Sequence, residues 1–216
     1  MKFNTDVLHA EQLHARLTGS YKPQAMAHVS PIYQTSTYVL EDFDTAVYLN
    51  QHVDEGFVYT RFGNPNNDQL EKKIAHLEHA EAAISLASGL GAISTAVMSV
   101  VKAGDHVVFG DVIYGCSYAL FTKVLTKLGI TYTRVDTTKV EEVEKAIQPN
   151  TSLVYVETPA NPTLKISDIA AIAQAVHKHP GITMIVDSTF ASPYLQNPLD
   201  LGADMVVHSA TKYLCG

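Results

Sequence analysis

The stretch 152–190, SLVYVETPANPTLKISDIAAIAQAVHKHPGITMIVDSTF, decides the fold. Two short apolar runs, 153–157 and 182–187, bracket a segment, 167–178, whose apolar residues recur at helical spacing. Strand, helix, strand in that order is the unit of a parallel sheet, and strands apolar along their whole length are buried on both faces. Working outward, the same alternation predicts strands over 107–109, 130–135 and 205–208 and helices over 116–128 and 139–147. Upstream, Leu70, Ile74 and Leu77 mark a helix over 66–80, with Pro65 at its first turn. The apolar run 82–87 reads as a further strand, followed by a small-residue helix over 89–101. The expected architecture is α/β, three layers deep, with a mostly parallel sheet covered by helices on both sides. Residues 1–62 carry scattered Pro, Ser, Thr, Tyr and His around one short helix, 41–52, and read as an irregular arm; 63–216 form the main domain. The chain stops soon after an apolar strand with no helix to cover it, so we expect it to be part of a longer polypeptide.

Composition limits what such a domain does. Of 216 residues, 46% are apolar and 17% charged, which is the balance of a folded core rather than a disordered chain. Fifteen basic against 22 acidic residues leave a formal charge of −7, which argues against nucleic acid or an anionic membrane surface as partner. No apolar run approaches the roughly 18 residues of a membrane helix, and the opening MKFNTDVLHAEQLHARL lacks the apolar core of a secretory signal. Two cysteines, Cys116 and Cys215, make neither a disulfide scaffold nor a zinc ribbon. The expectation is a cytoplasmic protein without a metal; His76-Leu77-Glu78-His79 lacks metalloprotease spacing, and His177 and His179 read as solvent-facing.

Ligands of open α/β sheets sit beyond the carboxyl ends of the strands. Five such ends carry small or polar residues here, beginning at Ser88-Gly89-Leu90-Gly91, Gly110-Asp111, Glu157-Thr158, Asp187-Ser188-Thr189 and His208-Ser209-Ala210-Thr211-Lys212. Ser88-Gly89-Leu90 opens a helix, whose free N–H groups and positive dipole end suit a phosphate. Ser209 and Thr211 add hydroxyl donors, and Tyr114 offers a flat ring. Asp187 follows an apolar strand, where an unpaired carboxylate is costly, and so calls for a cationic or hydrogen-bonding partner. Lys212 is the only amine of the set. Each feature has a plainer reading: a tight helix start at Ser88-Gly89, a turn-forming Asp187, a core Tyr114, a solvated Lys212. Together they are the parts of a pyridoxal phosphate site.

The motifs carry a resemblance. Ser30-Pro31-Ile32-Tyr33-Gln34-Thr35-Ser36-Thr37, Tyr59-Thr60-Arg61-Phe62-Gly63-Asn64-Pro65, Glu157-Thr158-Pro159-Ala160-Asn161-Pro162, Asp187-Ser188-Thr189-Phe190 and Val207-His208-Ser209-Ala210-Thr211-Lys212-Tyr213 resemble blocks of the pyridoxal-phosphate enzymes of cysteine and methionine metabolism. That group holds methionine γ-lyases, cystathionine lyases and synthases, and homoserine-ester sulfhydrylases. The resemblance implies the large domain of a fold-type I enzyme, with Lys212 holding the cofactor covalently, Asp187 at its pyridine nitrogen and Tyr114 stacked on its ring. It implies a cofactor pocket that also includes Ser88, Gly89, Leu90, Asn161, Thr189, Ser209 and Thr211. It further implies that Tyr59 and Arg61 reach the phosphate of a neighbouring subunit, in a homotetramer built from site-sharing dimers, and that a C-terminal domain supplies an arginine for the substrate carboxylate. Arg16 and Arg134 are no candidates for that last role.

Tyr114-Gly115-Cys116 resembles the methionine γ-lyases within the group, where the others usually have glycine in place of Cys116. The implied reaction is γ-elimination of L-methionine, with L-homocysteine and L-cysteine as further substrates and Cys116 near the leaving group. Packing at a helix start is the plainer reading of Cys116. Another trans-sulfuration activity, or a non-catalytic nucleotide-binding module, are the competing functions. Asn66-Asn67, Ser188 and Cys215 depart from the family pattern, none at a residue given a chemical role.

Overall fold

The structure is a computed structural model that describes residues 29–215. The chain divides into two compact units, Met1–Ser85 and Leu86–Gly216. Arg16 and the opening of the arm lie outside the described residues.

In the first unit, helix α1 (Phe43–Gln51) starts at Asp42, whose carboxylate accepts the Thr45 N–H at 2.7 Å. Helix α2 (Pro65–Glu78) starts at Asn64, with proline in its first turn as the sequence indicates, and ends at His79 in the left-handed region. The described part of the arm, 29–62, is tied to its own unit. Thr37 and Tyr59 form an isolated antiparallel bridge. The Asn66 side chain accepts the Tyr33 N–H at 2.8 Å and donates to the Pro31 carbonyl at 2.7 Å. One of the residues that departs from the family pattern therefore pins the arm.

The run 82–87 is not a strand. Three of its six residues are alanine, a weak strand former. The Ser85 N–H and hydroxyl both donate to Glu71 Oε1 at 2.7 Å, which removes that backbone group from any ladder.

The second unit is a five-stranded, wholly parallel sheet of β1 (His106–Gly110), β2 (Thr131–Val135), β3 (Thr151–Glu157), β4 (Thr183–Asp187) and β5 (Met205–Val207), in the order β2-β1-β3-β4-β5. Helix α3 (Gly89–Val100) packs Ile93 and Val97 on one face, against Val107, Phe109, Leu153, Tyr155 and Ile185. On the other face, α5 (Val140–Ala146) and α6 (Ile169–Val176) bring Val143, Ile172 and Val176 against Val108, Val154, Val156 and Val186. This is the three-layer α/β/α arrangement that the apolar strands required.

The expected helix 116–128 is broken into α4 (Gly115–Ala119), a π turn at Leu120–Val124 and a 3₁₀ turn at Leu125–Leu128, closed by Gly129 in the left-handed region. Thr122 and Thr126 bond back to the carbonyls of Tyr118 and Thr122 at 2.8 and 3.0 Å, which bends a helix. The rewound segment lays Phe121 flat on Phe109, ring centres 4.7 Å apart.

Ile185 lies fully buried in β4 within this core. Ile185→Ala should cost about 2–5 kcal/mol, the range for emptying a packed core site, without changing the fold. Urea unfolding of parent and variant checks it, and a loss under about 1 kcal/mol contradicts the packing described.

Candidate active site

Because all strands run one way, β1, β3, β4 and β5 deliver Gly110, Glu157, Asp187 and Val207 to a common edge. The fifth expected segment reaches that edge without being a strand. A Cβ placed on Gly89 would sit 2.6 Å from Ser209 Cβ and 2.8 Å from its hydroxyl oxygen, so the start of α3 and the loop after β5 touch at glycine. Ser88 caps α3, its hydroxyl accepting the Gly91 N–H at 3.0 Å, and the first intrahelical bond runs from Ala92 to the Ser88 carbonyl. The N–H groups of Gly89 and Leu90 precede that bond and face out of the helix end. With the Ser209 hydroxyl beside them they form a small anion cup.

Asp187 ends β4, is 3% exposed, and is satisfied by its own chain. Tyr155 donates its hydroxyl to Oδ2 at 2.9 Å. Thr189 donates its hydroxyl and its N–H to Oδ1 at 2.6 and 3.1 Å, while its hydroxyl oxygen accepts the Ser209 N–H at 2.9 Å. A carboxylate has about four acceptor positions, so Oδ2 keeps room for one more N–H. Tyr155 is fully buried, and burial first and the Asp187 charge second hold its phenol well above the ordinary value, so it remains a donor.

Glu157, beside Asp187 in the β3–β4 register, is also 3% exposed. Its two oxygens accept the N–H groups of Tyr114 at 2.7 Å and Asn161 at 2.8 Å. Burial pushes its carboxyl up to about 7, with the Asp187 charge adding to the rise and the two N–H donors opposing it. Tyr114 opens α4 and is exposed; its hydrogen bond with Cys116, also exposed, is the main cause that lifts its phenol above the usual value.

Thr211 and Lys212 lie exposed in the turn after β5, where the Lys212 N–H bonds the Ser209 carbonyl at 3.2 Å. The structure thus assembles Ser88, Gly89 and Ser209 at one point and Asp187, Thr189 and Ser209 at another, with Tyr114 and Asn161 joined through Glu157. Tyr59 and Arg61 belong to the first unit, where the guanidinium lies 5.2 Å from the Tyr59 ring centre and 5.1 Å from that of Phe62. Sequence reasoning gave no role to Tyr155 or Glu157. Period-two alternation along β3 puts both on one face, and a hydroxyl inside an otherwise apolar strand is the signal that finds Tyr155. Among the described residues no group of three or more His, Cys, Asp or Glu side chains could hold a metal ion, and no helix is long and apolar enough to cross a membrane.

A cup that only glycine can form, and a buried carboxylate with one acceptor position left over, fit the phosphate and the pyridine nitrogen of pyridoxal phosphate. The fold and this edge together define a cofactor domain of the pyridoxal-phosphate type. The family model described as "Cys/Met metabolism PLP-dependent enzyme" matches residues 10–216, and the chain belongs to that family. It is 54% identical over 190 residues to an L-methionine gamma-lyase of Porphyromonas gingivalis, covering 87% of this chain and 47% of that protein. It is 48% identical over 204 residues to a cystathionine gamma-lyase of Bacillus subtilis, covering 94% and 51%. A crystal structure from Campylobacter jejuni, described as an O-acetylhomoserine (thiol)-lyase and carrying a pyridoxyl-lysine phosphate, superposes with a TM-score of 0.88. There the identity is 32%, with 99% of this chain and 51% of that one covered. The chain spans about half the length of the curated relatives it matches.

Two outcomes follow. In Gly89→Ala the methyl group must force α3 and the Ser209 loop apart, so pyridoxal phosphate should bind roughly tenfold or more weakly, about 1.4 kcal/mol per tenfold; fluorescence titration measures it, and unchanged binding refutes the cup. Glu157 has a folded pKa of about 7 against an ordinary 4.5. Its contribution to the stability of the cofactor-free protein is therefore complete below the ordinary value and lost as pH rises through about 7. Urea unfolding across that window should show this loss in the parent and not in Glu157→Gln; identical pH slopes contradict it.

Proposed function

We propose that the chain forms the cofactor-binding part of a carbon–sulfur lyase that converts L-methionine and water to methanethiol, ammonia and 2-oxobutanoate, with L-homocysteine and L-cysteine as further substrates. The observation that carries this reading is the Tyr114–Cys116 pair, a thiol beside the phenol at the carboxyl edge of β1. Likeness to L-methionine gamma-lyases supports it. When bound, pyridoxal phosphate supplies an electron sink for charge left at the substrate's Cα. The chain's own residues do the rest. The N–H groups of Gly89 and Leu90, with Ser209 and Thr211, bind the phosphate. Asp187, held in place by Tyr155 and Thr189, keeps a proton on the pyridine nitrogen. Lys212 would hold the cofactor; as a free amine it would take the Cα proton and, once it has passed that proton on, would be free to take one from Cβ. Tyr114 would hold the ring by stacking and would be placed to hand a proton to the departing sulfur.

Tyr59 and Arg61 complete the phosphate site of a neighbouring subunit in this reading, within a cytoplasmic homotetramer. The second reading is cystathionine as substrate, which the likeness to a cystathionine gamma-lyase favours.

Lys212→Ala should lose covalent cofactor and slow turnover by roughly 10²–10⁴-fold or more. Borohydride reduction of the parent followed by peptide mass spectrometry should place the label on Lys212; label on another lysine defeats the assignment. Cys116→Gly should lower the ratio of methionine to cystathionine turnover at unchanged cofactor content, and an unchanged ratio leaves Cys116 a packing residue.

A further inference from the structure

Glu157 takes no part in the proton transfers assigned to Lys212, Asp187 and Tyr114, yet its carboxyl joins the segments after β1 and β3. The chain runs from β1 outward to β2 and returns to β3 on the other side of β1, so the strand order reverses between β1 and β3. Ligands of open parallel sheets settle at that reversal. One wall is the segment after β1, which carries Tyr114; the other is the loop after β3, which carries Asn161. Glu157 stands at the end of β3 and accepts a backbone N–H from each, at 2.7 and 2.8 Å, one on each oxygen.

On the other side of Tyr114, its carbonyl accepts the Tyr118 N–H at 2.9 Å. Both peptide planes flanking its Cα are fixed, and only the side-chain torsions remain free. The Tyr114 N–H, at the start of α4, has the Glu157 carboxylate as its partner.

We propose that Glu157 is a positioning residue whose carboxylate, by accepting both N–H groups at once, sets the separation of the Tyr114 and Asn161 loops and hence the place of the Tyr114 ring over the cofactor. The role of the ring rests on the pyridoxal-phosphate reading of this edge; the clamp itself does not. A carboxylate suits the task because both its ends accept. A glutamine of the same shape presents one acceptor and one donor, and the donor opposes whichever N–H it meets. The titratable groups around Glu157 are the Asp187 carboxyl across the ladder in β4, the Tyr155 hydroxyl in β3, and the Tyr114 phenol and Cys116 thiol at α4.

The test is amide hydrogen exchange by NMR on the cofactor-free protein, parent against Glu157→Gln. Protection at Tyr114 or Asn161 should fall by on the order of tenfold or more while Val154 and Ile185 in the core stay protected. Undiminished protection at both amides overturns the clamp. Should the variant lose core protection as well, the parent decides. The Glu157 carboxyl carbon is followed by ¹³C NMR against pH, and the Tyr114 and Asn161 amide proton shifts should move with the same midpoint; shifts that ignore it overturn the proposal. In the loaded protein, Glu157→Gln should keep its cofactor content and change the visible circular dichroism of the bound ring, whereas an unchanged band overturns the positioning role. A parent that binds no pyridoxal phosphate defeats the functional reading separately, since the exchange result is obtained without cofactor.

Discussion

Two carboxylates end adjacent strands side by side, Glu157 on β3 and Asp187 on β4, and both are withdrawn from water. Charges placed so in a low-dielectric interior repel each other and cost solvation, so each must be surrounded by donors. The donors come from the chain segments that make the site. Glu157 takes the backbone of Tyr114 and Asn161; Asp187 takes Tyr155 and Thr189, and through Thr189 the Ser209 backbone. Satisfying two buried acids thereby arranges the loops after β1, β3, β4 and β5, and Ser209 in turn meets the start of α3 at Gly89. The candidate site at the carboxyl edge of the sheet is the consequence of that arrangement.

Gln196 reinforces it, donating from one amide nitrogen to the Thr158 carbonyl and the Ser188 hydroxyl, both at 3.0 Å. Lys165 lies 3.3 Å from Asp111 and 3.5 Å from Asp136, bridging the loop after β3 to those after β1 and β2. The exposed ion pairs add little energy. The buried hydrogen bonds carry the geometry, because an orphaned donor or acceptor there costs its full desolvation.

Much of this was legible in the sequence because strands buried on both faces announce themselves as unbroken apolar runs, and parallel strands put all their carboxyl ends on one side. The residues at those ends followed. What escaped was non-local. The run 82–87 has the apolarity of a strand, but Ser85 gives its backbone to Glu71. The break in the segment 115–128 depends on threonines bonding backward and on Phe121 meeting Phe109 across the layer. Tyr155 lies fully buried in β3, and only the structure shows its hydroxyl meeting Asp187. Asn66, an oddity against the family pattern, turns out to hold Pro31 and Tyr33.

The family membership rests on the match over residues 10–216, while the site rests on a cup closed by Gly89 and a carboxylate with an acceptor position to spare. A crystal structure of the protein with pyridoxal phosphate bound tests that account most directly. It should place the phosphate within hydrogen-bonding distance of the Gly89 and Leu90 N–H groups and the Ser209 hydroxyl, with the pyridine nitrogen on Asp187 Oδ2 and the Tyr155 and Thr189 contacts intact. A phosphate seated elsewhere, or an Asp187 that must drop Tyr155 to reach the ring, would contradict it.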